Sequence, residues 1–294
     1  MQKILKILKF FKTVFMFTQY IPVKSFFYNF KTKKENNVIV QRCIMNYCNY
    51  KLYRVSKNKI NHSKNIIYFS NHRSWGDFMI DNVVTEYCSR FISRVEVAFI
   101  LPIYTFSAYM INDVILFFRR GQTSILDFEK LIKINQNNQS GNNILVYPEG
   151  TRRAGLEYAC DLKKGLIYYS YKEKSPIQFI ISKNKEKILN EKKFTSENNV
   201  DVFVHYSDVY YPDDVEKYKS MQEYYDFING EWKTTFNAVY GTDYESKKTE
   251  YERIDITKIH DNNYDVDKRL LNLIRLTIVS GLVVIPSVFI KYIW

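Results

Sequence analysis

The 294-residue sequence predicts an α/β fold, a layered sheet flanked by helices, with an amphipathic helix at the N-terminus and a hydrophobic anchor helix at the C-terminus. Three observations carry this reading. Short, nearly continuous apolar runs alternate with longer mixed segments, as strands covered on both faces alternate with helices. Lysine recurs every third residue from Lys3 to Lys12. A long apolar stretch closes the chain.

The first helix is "KILKILKFFKTVFMF", the main feature of an N-terminal membrane-interface region over residues 1–45. At about 100° per residue, Lys3, Lys6, Lys9 and Lys12 sweep one half of the helix, while Ile4, Ile7, Leu8, Phe11, Val14 and Phe15 gather on the other. The repeated lysines interrupt any secretory core, so the expected setting is an anionic membrane interface.

Residues 46–240 carry the predicted strands: "NIIYF" (65–69), "VEVAFI" (95–100), "VILFF" (114–118), "NILVY" (143–147), "PIQFII" (176–181) and "VDVFVHY" (200–206). "AGLEYACDLKKGLIYYSYK" and residues 213–240 follow helical spacing, the latter placed to cover one face of the sheet. Lys183 to Asn199 is charged and polar and reads as a surface loop. Residues 241–268 read as a polar linker, and 269–294 as a C-terminal membrane anchor. Arg275 is the only charge between Leu270 and Ile290. With Arg275 and Lys291 snorkelling to opposite head groups, that stretch meets the roughly 20 residues a bilayer needs. Lys268 and Arg269 place its start on the cytoplasmic side, so the body of the protein is expected to face the cytoplasm, at the endoplasmic reticulum or another intracellular membrane.

Composition narrows the partners. Hydrophobic residues make up 46% of the chain, which excludes disorder as its main state. Lys and Arg number 43 against 31 Asp and Glu, a net charge of +12, so an anionic partner is expected. No nucleic-acid motif accompanies the charge, which leaves anionic lipid rather than nucleic acid. Cys43, Cys48, Cys88 and Cys160 form no C-x-x-C pair and have no histidine at zinc spacing, so no metal is expected.

Three clusters of reactive residues each follow a predicted strand: "NHRSWGD", "RRG" and "PEGTRR". Spacing alone is weak, because with four His in the chain roughly 0.2 H-x4-D pairs arise by chance, and His260 and Asp265 repeat the pattern inside the polar linker. Position separates them. Ligands bind outside the carboxyl ends of strands in open α/β sheets, so parallel strands would bring the three clusters to one edge. There His72 can take a proton from an alcohol if Asp77, folding back from the next helix, holds the ring. Arg119 and Arg152, with Arg120 or Arg153 as further candidates, offer planar bidentate donors, so the expected alcohol carries a phosphoryl group.

These stretches resemble a known family. "NHRSWGD" and "YPEGTRR" are similar to motifs I and III of the glycerolipid acyltransferases, the lysophosphatidic acid acyltransferase superfamily. "DVILFFRR" is similar to the second motif but has Asp113 and Leu116 where the family has Gly and Phe. "SPIQFII" resembles the fourth, and the resemblance covers about residues 60–185. It implies a glycerol-3-phosphate acyltransferase-like fold, acyl-CoA as co-substrate, no cofactor, and a lysophospholipid or glycerol phosphate hydroxyl as acceptor in glycerophospholipid synthesis or remodelling. On it His72 is the general base, Asp77 its orienting partner, Arg119 and Arg152 the phosphate grip, and Glu149, Gly150 and Thr151 the acceptor site. A backbone N–H near Gly76 or Gly150 is the expected oxyanion donor. The "EWK" of Glu231 to Lys233 is similar to the eukaryotic branch that includes lysocardiolipin acyltransferases. The competing reading is an inactive membrane-tethered lipid-binding scaffold of the same fold.

Overall fold

β-Branched and aromatic runs without polar alternation need cover on both faces. The computed structural model of the protein, which describes residues 2–25, 27–28, 33–100, 105, 108, 114–117, 129–130, 132–133, 143–213 and 218–258, provides that cover. The strands are β1 (Lys51–Arg54), β2 (Ile67–Ser70), β3 (Ser89–Arg94), β4 (Val114–Phe117), β5 (Asn143–Val146), β6 (Ile177–Lys183), β7 (Asp201–Tyr210) and β8 (Glu252–Arg253). Among the described residues they form one sheet in the order β4-β3-β5-β2-β6-β7-β1-β8. The first five in that order are mutually parallel. β7 turns antiparallel to β6, β1 pairs parallel with β7, and β8 closes the edge antiparallel to β1.

Alternate strand residues feed two cores. Tyr68 and Ile180 point into one, with Met79, Ile80 and Val83 of α4 (Asp77–Val84). Ile67, Phe69, Phe179 and Ile181 point into the other, against the long helix Met221–Gly241. That helix starts as its sequence dictates: Ser220 Oγ accepts from the Glu223 N–H at 3.2 Å, and Glu223 reaches back to the Lys219 N–H at 2.9 Å. Tyr224, Ile228, Trp232 and Phe236 recur every fourth residue and bury one face. Trp232 is fully buried against Phe179, so truncating it to Ala would cost about 3–5 kcal/mol.

The N-terminal helices run Gln2–Phe15 (α1), Ile21–Ser25 (α2, after a π-helical turn) and Lys33–Cys48 (α3). Phe10, Phe17, Ile21, Val38 and Ile44 join the first core. Ile4, Leu5, Leu8, Phe11 and Phe15 remain exposed, as do Lys3, Lys6, Lys9 and Lys12.

Three stretches differ from their sequence reading. "VEVAFI" is a helix (Val95–Ile100), and the strand is the preceding Ser89–Arg94. A six-residue apolar run has no decisive period. Ser89, Arg90 and Ser93 give no strand signal, yet β3 is paired on both sides. Residues 183–199 are not a solvated loop: Lys185, Ile188 and Leu189 are buried, Lys185 because carboxylates neutralise it. Part of the expected linker forms a 3-10 turn (Glu245–Glu250) and β8, held by the Arg54–Glu252 ion pair and by Tyr244 and Tyr251 packed on Phe203. His260, Asp265 and the expected anchor at 269–294 lie outside the described residues. Among the described residues, no helix is long and apolar enough to cross a membrane.

Candidate active site

β5, β2 and β6 are adjacent and parallel, so the segments that leave their carboxyl ends share one edge. β2 delivers His72, β5 delivers Glu149 and the turn after it, and β6 delivers Lys185. β4 is parallel with them and separated from β2 by β3 and β5. Arg119, which follows β4, lies outside the described residues.

His72 Nδ1 lies 2.7 Å from Asp77 Oδ2. Asp77 is fully buried at the start of α4, and its carboxylate also accepts from the backbone N–H groups of Arg73 (2.5 Å) and Ser74 (2.9 Å). Burial alone would raise its pKa, but Lys185, 3.8 Å away, and the bonds from His72 and Ser74 outweigh it and hold the carboxyl below its ordinary range. Asp77 is therefore an anion that accepts a hydrogen bond from the Nδ1–H of His72. Nε2 then carries the lone pair, and among the described residues it has no hydrogen-bond partner. The Tyr147 ring stacks on the imidazole at 4.1 Å and 13° and fixes its plane. A partly buried ring with one nitrogen anchored and the other available is the arrangement general-base catalysis requires.

The turn after β5 braces this base. Glu149, 2% exposed, accepts from the His72 backbone N–H at 3.2 Å, and burial pushes its carboxyl up to about 7. It supports the histidine loop from below. The Arg153 N–H donates to the His72 carbonyl at 2.7 Å, tying the two loops together. Gly150 has φ +71°, a conformation that calls for glycine, while the nearest atoms to a Cβ there would be those of the exposed Lys163 stem at 3.3 Å, which can shift aside. Thr151 is exposed at the turn. The Gly150 N–H donates to Tyr147 O at 3.0 Å, and the Gly76 N–H to Ser74 Oγ at 3.2 Å. Both glycine N–H groups are thus committed within their own loops.

Arg152 sits 5.7 Å above the Trp75 ring, in the same loop as His72, with Nε 2.8 Å from Glu191 Oε1. Glu191 also accepts from the Trp75 N–H at 3.2 Å. A carboxylate therefore already occupies the guanidinium that the sequence assigns to phosphate.

Sequence reasoning missed four residues here. Tyr147 was within reach, since it immediately precedes the "PEGTR" stretch. Arg73, inside "NHRSWGD", is buried and binds the carbonyls of Leu156 (2.6 Å) and Ala154 (3.4 Å) while stacking on Tyr240 at 4.8 Å. Lys185 follows a strand end, the same positional signal that singled out His72. Glu191 had no signal in its charged surroundings. Among the described residues, no group of three His, Cys, Asp or Glu side chains could hold a metal ion.

Residues 52–182 match the family model described as Acyltransferase. The fold is similar to the crystal structure of the 1-acyl-sn-glycerophosphate (LPA) acyltransferase, PlsC, from Thermotoga maritima. The two share 16% identity with a TM-score of 0.57, over 82% of this chain and 98% of that one. A search of curated protein sequences gives no significant match. The matched stretch holds His72, Asp77, Glu149 and Arg152 together.

Proposed function

We propose that the protein, whose residues 52–182 match the Acyltransferase family model on a fold similar to that of PlsC, transfers an acyl group from acyl-CoA to the hydroxyl of a lysophosphatidic acid-like lysophospholipid. The observation that carries this reading is the buried Asp77 anion on His72 Nδ1, which leaves Nε2 as the proton acceptor. The acceptor hydroxyl attacks the thioester carbonyl carbon as its proton passes to Nε2. The tetrahedral intermediate collapses, the C–S bond breaks, and the imidazolium returns the proton to the departing thiolate. Holding thioester and alcohol together contributes roughly 7–11 kcal/mol of effective molarity.

Arg152 is the group we assign to the acceptor phosphate, and Arg119, outside the described residues, is proposed as a second phosphate group on the motif resemblance alone. The acceptor phosphate would displace Glu191 from Arg152. The contact is close but exposed on the arginine side, which keeps that exchange inexpensive. Glu149, Gly150 and Thr151 shape the acceptor side, Glu149 by fixing the backbone of His72.

A phospholipid membrane is the proposed working surface, with the site facing the cytoplasm at the endoplasmic reticulum or another intracellular membrane. In support, α1 presents Ile4, Leu8, Phe11 and Phe15 to solvent beside its lysines, and Phe194, itself 46% exposed, packs on Phe10 and Phe11.

The test offers purified protein a labelled acyl-CoA with a panel of lysophospholipids and glycerol 3-phosphate. Turnover on a phosphorylated acceptor that disappears in His72→Ala supports the reading. No turnover on any acceptor by the intact protein, with vesicle binding retained, identifies a lipid-binding scaffold instead. Arg152→Ala should raise the KM for the phosphorylated acceptor about tenfold or more. Glu191→Gln should lower it about threefold.

A further inference from the structure

One buried charge beneath the site takes no part in the transfer step. Lys185 begins the short helix Lys185–Ile188 after β6 and is wholly inaccessible, a setting an ammonium tolerates only when paired. Its Nζ donates to both oxygens of Asp81, at 3.0 and 2.8 Å, and to Ser70 Oγ at 3.1 Å. It also lies 3.8 Å from Asp77 Oδ1 and 5.6 Å from the centre of the Tyr147 ring. Lys185 thus touches the strand that carries His72, the carboxylate that orients it, and the ring that stacks on it.

We propose that Lys185 is a positioning residue whose buried ammonium, with Asp81 as the opposing charge, sets the pH at which His72 becomes a base by repelling the imidazolium. The proposal rests on the acyl-transfer reading for only one of its two measurements.

The charge count supports it. Two carboxylates, Asp77 and Asp81, face one ammonium, a net charge of minus one that the imidazolium formed during transfer brings to zero. The other charged or titratable groups around Lys185 are Tyr147 and Glu149 after β5, and His72 with Arg73 after β2. Glu186, next along its own helix, turns to Arg73 at 3.4 Å. Burial raises the Asp81 carboxyl and Asp77 adds to that against the pull of Lys185, whereas Asp77 itself is held low. Falling pH therefore protonates Asp81 first and spares the residue that holds His72.

The signs follow from Coulomb's law. Without the ammonium the imidazolium loses a repelling neighbour, which moves the protonation of His72 upward while Asp77 stays ionised; a proton on Asp77 would act the other way, by removing the anion that stabilises the imidazolium. Loss of the Asp81 charge moves it downward.

The experiment follows His72 through pH by NMR in detergent-solubilised protein, assigned against His72→Gln; the chain has only four histidines. In parallel, the acid limb of kcat/KM is measured with acyl-CoA and lysophosphatidic acid. Lys185→Met should raise the His72 midpoint by about one pH unit and Asp81→Asn should lower it. The acid limb should follow in each case. The charge-balanced double variant Lys185→Met/Asp81→Asn, which leaves no lone buried charge, should fold and shift the midpoint up by less than Lys185→Met alone. A His72 midpoint unmoved in both Lys185→Met and the double variant, with only Tm lowered, would reduce Lys185 to a structural ion pair and overturn the proposal. If the protein transfers no acyl group, the kinetic measurement fails with the proposed function, while the NMR titration still decides the role of Lys185.

Discussion

His72 and His62 each meet a carboxylate backed by a lysine, at opposite edges of one sheet, and only the first is arranged to accept a proton. His72 follows β2 and contacts Asp77 at 2.7 Å, with Lys185 at 3.8 Å from the other carboxylate oxygen. His62 precedes β2 and contacts Glu86 at 3.0 Å, with Lys258 at 2.8 Å from the other oxygen. The difference is depth. Asp77 and Lys185 are fully buried, whereas Lys258 is 59% exposed. Burial would lower the His62 pKa, but Cys88 and Glu86 override it and carry the ring up to about 9. His62 is therefore an imidazolium at neutral pH, with no lone pair for catalysis. A histidine beside a carboxylate becomes a base only where the carboxylate is committed to one nitrogen and the other stays available.

The largest expected contrast is in turnover. His72→Ala should lower kcat/KM about 10³-fold or more, the scale of a lost general base, while His62→Ala stays within about twofold. Equal losses would erase the distinction. Next come the carboxylates. Asp77→Asn keeps the shape of the side chain but cannot stabilise an imidazolium, so kcat should fall about 10²-fold. Glu86→Gln should leave kcat unchanged, and a matching loss in the two variants would mean that both pairs serve folding alone. The lysines differ in the same sense. Lys258→Ala removes a mostly exposed contact and should cost about 0.5 kcal/mol or less in chemical denaturation. A larger loss would make the outer pair as structural as the buried one.

The contrast also explains what the sequence could reveal. Strands β2, β5, β6 and β7 were legible because "IIYF", "NILV", "IQFII" and "VDVFV" are buried on both faces, and continuous hydrophobicity reports that setting directly. β3 was illegible because its hydrogen bonds to β4 and β5 impose a strand on Ser89 and Arg90, whose side chains say nothing of it. At the site, His72, Asp77 and the turn after β5 were legible because their functional groups lie within a few residues of strand ends. Lys185 was not. A lysine among lysines in "KNKEK" signals solvent, and only the tertiary placement of Asp77 and Asp81 makes burial of that ammonium affordable. Glu191 was hidden for the same reason, since its partner Arg152 lies 39 positions away in sequence.

The same contrast extends to the pH dependence of stability. The folded-state pKa of His62, about 9, exceeds its ordinary 6.5, so its contribution is complete below about pH 6.5 and is lost as pH rises through about 9. Glu86 acts from the other side. Burial would raise its carboxyl, but His62 and Lys258 hold it below the ordinary 4.5, so its share is lost as pH falls below that value. The pair therefore stabilises the fold most between about pH 5 and 6.5. At about 1.4 kcal/mol per pH unit, reduced for the water that reaches this site, the His62 share is about 1–2 kcal/mol. Cysteines, tyrosines and lysines also titrate near pH 9, so the informative quantity is the wild type minus His62→Gln difference from chemical denaturation at pH 6 and pH 9. That difference should shrink by about 1–2 kcal/mol between the two. A difference that stays constant would mean that His62 is neutral in the folded protein, and the two histidines would then differ in position on the sheet but not in charge.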